Sequence, residues 1–243
     1  MSNYEIPDFS FWQDDPTTPQ PIDFQALRQK SRGVILRAGQ NLWIDKTFRT
    51  NYANAKAAGV LRGTYYFYDS RADPKKQAEK WIEALAGDYG ELEHFADFED
   101  SYGGKFHGWK HWYNFLERVK ELAPGIKLGV YTGYYYWREN TNYMTSGITE
   151  ASLNYFAQYP LWIAWYNPPD PFIPAPWTKW LFWQYTDDYP SDGWGAESNE
   201  IDMNRFAGNE ADFIARYGVG ETPTPKGTLT VKYGNNVVEY VKK

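Results

Sequence analysis

The 243-residue chain contains no cysteine, which excludes a disulfide framework, a thiolate nucleophile and any cysteine-ligated zinc or iron–sulfur centre. Histidine is scarce as well. His94, His107 and His111 are the only three, too few for a histidine-rich metal centre, so neither a metal nor another cofactor is expected. His107 and His111 stand four apart, a spacing that places two rings on one helix face, and they read as an exposed helical pair rather than as ligands. No apolar run approaches the roughly 20 residues a membrane-spanning helix needs. The opening stretch M-S-N-Y-E-I-P-D-F-S-F-W-Q lacks the basic flank and apolar run of a secretory signal. Positive charge is in deficit, with 25 Lys and Arg against 31 Asp and Glu for a net charge of −6. That balance suits nucleic acid poorly, since phosphate binding needs clustered cations. The expectation is a monomer with neither nucleic acid nor a membrane among its partners.

What the chain has in abundance is aromatic surface: 12 Trp, 21 Tyr and 14 Phe, 19% of all residues. Most such rings fill cores. Trp and Tyr also offer flat apolar faces ending in a polar tip, a match for sugar rings edged by hydroxyls.

Short runs rich in Val, Ile, Tyr, Phe and Trp, bounded by Gly, Pro, Asn or Asp, recur along the chain and predict eight strands. They cover 4–12, 33–38, 60–68, 94–99, 127–132, 161–166, 181–186 and 201–206. Amphipathic segments at 23–32, 45–58, 73–86 and 108–123 predict helices between the early strands. Asp73 before Pro74 is a start signal and Gly59 after Ala58 a stop signal. Strands alternating with helices imply parallel βαβ units and an α/β class, and eight strands fit a TIM-like (β/α) barrel near its lower size limit. The later connections, with Pro168, Pro169, Pro171, Pro174 and Pro176, leave little room for helices, so an irregular barrel is expected: about five βα units, then three strands with few helices. The catalytic barrel is expected over 1–220, a Pro/Thr linker over 221–227, and a hairpin extension or truncated second module over 228–243, where alternation flanks Gly234, Asn235 and Asn236.

In such a barrel the active site lies at the C-terminal ends of the strands, so acids there are the first candidates. Asp97 and Glu99 are two apart on one strand and share a face. Two close carboxylates do not both ionise cheaply, which raises one of them into the range of a general acid, as glycoside hydrolysis requires. A D-x-E by itself says little, because a chain of this composition holds about one by chance. Asp8 on the first strand and Asp202 on the eighth become neighbours once a barrel closes, and four converging carboxylates favour catalysis over a structural ion pair.

The chain resembles glycoside hydrolase family 25, the Chalaropsis-type lysozymes or N-acetylmuramidases that include phage endolysins. The resemblance is carried by D-F-S-F-W-Q (8–13), A-A-G-V-L-R-G-T-Y-Y-F-Y (57–68), F-A-D-F-E (95–99), G-V-Y-T (129–132), L-W-I-A-W-Y (161–166), W-Q-Y-T (183–186) and I-D-M-N-R-F-A-G (201–208). It implies a flattened barrel and retaining cleavage of the β-1,4 bond between N-acetylmuramic acid and N-acetylglucosamine. Glu99 then matches the general acid/base, Asp97 its partner, and Asp8 and Asp202 the other two acids of the mouth. The nucleophile is either the substrate's acetamido oxygen or a carboxylate. The implied partner is the peptidoglycan glycan strand. The implied place of action is the bacterial wall, reached by phage-style release or as a mature secreted form. Candidate sugar contacts are Arg37, Tyr65, Phe67, Tyr131, Trp162, Tyr166 and Gln184, with Phe67 and Trp162 serving equally well as barrel filling. Departures from the family pattern at Arg37, Gly39, Gln40 and Tyr66 read as altered subsite contacts. A non-catalytic carbohydrate-binding barrel is the competing reading. A family 18 chitinase would carry a further Asp where this chain has Phe95.

Overall fold

Each predicted apolar run forms a strand in the computed structural model, which describes residues 2–14, 17, 21–166 and 169–218 and the backbone of 229–233 and 236–240. Pro168 and the predicted linker 221–227 lie outside them. The elements run β1 (Glu5–Phe9), α1 (Phe24–Lys30), β2 (Gly33–Gln40), β3 (Trp43–Ile44), α2 (Phe48–Ala57), β4 (Leu61–Phe67), α3 (Pro74–Leu85), β5 (His94–Phe98), α4 (Trp109–Leu122) and β6 (Leu128–Gly133). They continue with α5 (Tyr134–Asn140), α6 (Glu150–Tyr155), β7 (Leu161–Ala164), β8 (Phe182–Pro190), β9 (Glu200–Phe206), α7 (Glu210–Tyr217), β10 (Leu229–Tyr233) and β11 (Asn236–Tyr240). The capping signals act as read: Asp73 accepts from the N–H groups of Lys75 and Lys76 with Pro74 in the first turn, and Gly59 follows α2 with φ +72°.

The sheet closes on itself in the order β1-β2-β4-β5-β6-β7-β8-β9, with β9 returning to β1 and the short β3 hanging on β2. Pairing is parallel from β1 through to β8, whereas β9 is antiparallel to both neighbours. The βαβ rhythm predicts eight parallel strands, and the last one breaks it. Only residues 191–199 separate β8 from β9, and a parallel return needs a crossover of a dozen residues or more. Five βα units are followed by β7, β8 and β9, and among the described residues α-helix returns after them only as α7. The predicted hairpin at the C-terminal end pairs as β10 with β11, Leu229 opposite Tyr240 and Tyr233 opposite Asn236.

Alternation along the strands separates two cores. Outward residues such as Val34, Leu36, Tyr66, Ala96, Phe98, Val130 and Ile163 pack beneath the helices with Trp81, Trp112, Phe115 and Trp137. Inward residues Ile6, Ile35, Phe95, Tyr131, Trp162, Phe182 and Phe206 fill the barrel, joined from below by Phe213 and Tyr217 of α7. That helix, not anticipated from the sequence, closes the floor. It is held by an Asn209–Asp212 capping box and a left-handed Gly218, and Arg216 and the Tyr217 hydroxyl both bond the buried Glu93. Filling is tight at Gly129, where an added Cβ would meet two ring carbons of Phe95 at 2.4 and 2.6 Å. Gly129→Ala is therefore expected to destabilise by at least about 1 kcal/mol through overpacking, read as a lower urea midpoint. An unchanged midpoint would mean that Phe95 has room to move.

Candidate active site

The same inward faces that are apolar at the floor turn acidic at the mouth. On β5, Phe95 lies in the barrel core, while Asp97 and then Glu99, the residue just past the strand's end, reach a cleft of about 560 Å³. On β1 the order is Ile6, then Asp8. On β9 the chain runs the other way, so Asp202 near its start reaches the mouth and Phe206 near its end the floor. Asp8 and Asp202 sit directly opposite each other in the β1–β9 ladder. Had β9 been parallel, Asp202 would lie at the floor; the strand reversal is what places it with the others.

Asp8, Asp97, Glu99 and Asp202 line the cleft together with Arg37, Tyr65, Phe67, Tyr131, Tyr166 and Gln184. Gln184 ties them together. Its Oε1 accepts from the hydroxyls of Tyr131 (2.7 Å) and Tyr166 (2.9 Å), and its Nε2 donates to Asp8 Oδ2 (2.9 Å) and, at 3.5 Å, to Asp202. The Tyr131 hydroxyl also lies 3.1 Å from Glu99 Oε2.

All four carboxyls sit above their ordinary range, and burial is the leading cause in each. Glu99 is pushed up to about 7 by burial, offset in part by the Tyr131 hydrogen bond and reinforced by the charges of Asp8 and Asp100. Asp97 is raised well above its usual value by burial and then by Glu99. Asp8 is raised to about 6 by burial, against hydrogen bonds from Asn204, Gln184 and Asp202 that favour its charge. Asp202 rises to about 9 through burial and the neighbouring charges of Asp8 and Asp187. Like-charge repulsion, which the sequence argument puts first, comes second to loss of water. One Asp97 oxygen, Oδ1, is buried without a partner.

Two assignments need correction. Trp162 does not line the cleft. It is fully buried, packs against Tyr65, Phe95 and Tyr131 and donates its indole N–H to Asn204 Oδ1 at 2.7 Å. Strand parity gives the face a residue occupies but not its depth, and Trp162 lies one layer below the mouth. Tyr66 points outward: it is buried against Trp81 and Phe115 and donates its hydroxyl to the Asn41 carbonyl at 2.8 Å. It makes no subsite contact. Gly39 acts through its backbone, because an added Cβ would meet the Trp43 carbonyl at 2.3 Å. His107 precedes α4 rather than lying on it. Its ring stacks on His111 at 5.0 Å, and no group of three or more possible metal-binding side chains occurs among the described residues.

The sequence reading missed Asn204. This buried side chain donates to Asp8 Oδ2 at 2.8 Å and to the Ile6 carbonyl at 3.1 Å, so it links the Trp162 layer to the acids. Its signal was available, since it lies two residues after Asp202 and so on the same face. Also missed were the rim residues Ser10, Phe11, Trp12, Gln13, Trp43, Tyr102 and Asp187, brought in by loops and by β3.

The profile of Glycosyl hydrolases family 25 matches residues 8–194. Over 181 residues the chain is 24% identical to Lysozyme M1 of Streptomyces globisporus, covering 70% of this chain and 58% of that protein. Over 193 residues it is 24% identical to Autolytic lysozyme of Clostridium acetobutylicum, covering 76% and 52%; the chain thus spans little more than half the length of these relatives. Among solved structures it resembles the bacterial lysozyme of Streptomyces coelicolor, with a TM-score of 0.69 at 22% identity over 89% of this chain and 98% of that one. It also resembles the muramidase of Acremonium alcalophilum, with a TM-score of 0.64 at 25% identity over 89% and 99%.

Proposed function

The chain belongs to glycosyl hydrolases family 25, and on that premise we propose that it hydrolyses peptidoglycan at the β-1,4 bond between N-acetylmuramic acid and N-acetylglucosamine, with retention. The observation that carries this reading is the placement of Asp97 and Glu99, at and just past the end of β5, beside Asp8 and Asp202 in an open cleft walled by Tyr and Trp rings. Glu99, held protonated to near neutrality, gives its proton to the glycosidic oxygen as the bond breaks. Asp97 polarises the 2-acetamido group, whose oxygen closes on the anomeric carbon. Glu99, now a carboxylate, takes a proton from the water that opens this intermediate, and the starting state is restored. Asp202 keeps its proton and shares it with Asp8. Of the other lining residues, Tyr65, Phe67, Tyr131, Tyr166 and Gln184 supply stacking faces and hydrogen bonds to the sugars.

The wall glycan is the proposed partner and the bacterial wall the place of action. No helix among the described residues is long and apolar enough to cross a membrane. Residues 1–220 are proposed as the catalytic unit, joined by 221–227 to the 228–243 extension. Mass spectrometry of fragments released from purified peptidoglycan tests the activity. Muramic acid at the new reducing end is expected; glucosamine there, or tight glycan binding with no cleavage, overturns the reading. The protonated form of Glu99 is the active one, so cleavage is expected to fall as pH rises through about 7, by about tenfold per pH unit beyond it. A profile still rising at pH 8.5 would remove Glu99 from the acid's role.

A further inference from the structure

Arg37 lines the cleft, yet among the described residues it makes no ion pair with any of the four mouth carboxylates. Its ion pair is with Asp45, Nε to Oδ2 at 3.1 Å. Asp45 is itself fixed, the same oxygen accepting the Phe11 backbone N–H at 3.2 Å. The guanidinium is flanked by aromatic rings, with its central carbon 4.6 Å from the centroid of Phe11 and 5.4 Å from that of Trp43. Those contacts hold a planar cation in one orientation. The side chain is only 8% exposed, and its Nη2 is buried without a hydrogen-bond partner, as is Oδ1 of Asp45, so the pair is held through Nε and Oδ2 alone. A buried charged donor with no acceptor is destabilising and rare. Its presence in a cleft, on a pre-oriented fork, indicates that the acceptor arrives with the substrate.

The geometry of a guanidinium edge selects the acceptor. Paired parallel N–H groups match the two oxygens of a carboxylate, in charge and in shape. N-Acetylmuramic acid differs from N-acetylglucosamine by a lactyl ether ending in such a carboxyl, which is either free or amide-linked to a stem peptide carrying carboxyls of its own. We propose that Arg37 is the carboxylate receptor of this cleft, and so the residue that distinguishes a muramyl glycan from a plain glucosamine polymer; the proposal rests on the glycan reading above. Since Nη2 has almost no exposed surface, the carboxylate reaches it as the rim gives way. Trp12, 70% exposed, is the most exposed of the rings that line the cleft.

Calorimetric titration of the full chain tests this with three disaccharides that lack the scissile bond. They are N-acetylglucosaminyl-N-acetylmuramic acid, its lactyl methylamide, and the same sugar carrying an L-Ala–D-Glu stem through a lactyl amide. The wild type is expected to bind the free acid at least about tenfold more tightly than the methylamide, the range of a charge-assisted bond. Arg37→Gln should abolish the difference and Arg37→Lys retain part of it. A stem-bearing sugar that binds like the acid assigns the receptor to the stem carboxylates, and one that binds like the methylamide assigns it to the lactyl group. Equal wild-type affinity for all three ligands, or no binding at all, overturns the proposal. So does an Arg37→Gln variant that weakens all three by one common factor, which would mark a purely structural role. The titration needs no turnover. A chain that discriminates the acid but cuts no peptidoglycan refutes the hydrolase reading and keeps the receptor, and the reverse result does the opposite.

Discussion

Replacing Glu99 by Gln is expected to lower reducing-end release from purified peptidoglycan by at least about 100-fold, the lower end for a lost general acid, without lowering the unfolding temperature. Glutamine keeps the volume and an oxygen that still accepts from Tyr131, whose hydroxyl lies 3.1 Å from Glu99 Oε2. What disappears is the transferable proton that burial retains to about pH 7. The two readouts separate chemistry from folding: reduced activity with an unchanged melting curve assigns Glu99 to the reaction. A variant retaining more than a tenth of the activity would transfer that role elsewhere in the mouth, with Asp97 the next acid to test.

The second large effect concerns stability and has the opposite sign. Asp202 stays protonated in the folded chain to about pH 9, whereas in the unfolded chain it ionises near 4. A carboxyl held protonated this way gives the folded state its full benefit below about pH 4. The benefit is lost progressively as pH climbs from there to about 9, because the unfolded chain gains by ionising and the folded chain does not. An asparagine in its place cannot ionise in either state and still presents an N–H to Asp8. Asp202→Asn is therefore expected to stabilise the barrel at pH 8 by on the order of 3 kcal/mol, after discounting for the partial exposure of the group. For a domain of this size that is roughly 5–10 °C in melting temperature. The gain should vanish at pH 4, and glycan cleavage should slow in the same variant. Melting curves at the two pH values decide the matter: a gain equal at both, or absent at pH 8, would show that the Asp8–Asp202 pair does not strain the fold through its proton.

Much of this architecture is legible because it follows from local chemistry. Period-two runs mark all eight barrel strands, and caps such as Asp73 and Gly59 mark the first four helices to within a few residues. α7 escapes the reading although Asn209, Asp212 and Gly218 carry start and stop signals of the same kind; its short length hides it behind the preceding strand. The direction of β9 is also readable in principle, from the nine residues available to reach it. Depth is not. Asp97, Tyr131 and Trp162 belong to one register row, and nothing in their spacing says that the Trp162 ring fills space below the mouth while the others reach it. The clamp on Arg37 is illegible for another reason: Phe11, Trp43 and Asp45 meet it only through tertiary packing around the β2–β3 hairpin.

The closure of β9 onto β1 has a consequence for synthesis on the ribosome. Asp202 is made nearly two hundred residues after Asp8, yet they face each other across a single ladder. An unfinished polypeptide ending before β9 has an open seam in place of a mouth, without Asp202 and without the Asn204 bond that helps Gln184 fix Asp8. The four-carboxylate mouth is therefore assembled in one step, when β9 seals the ring.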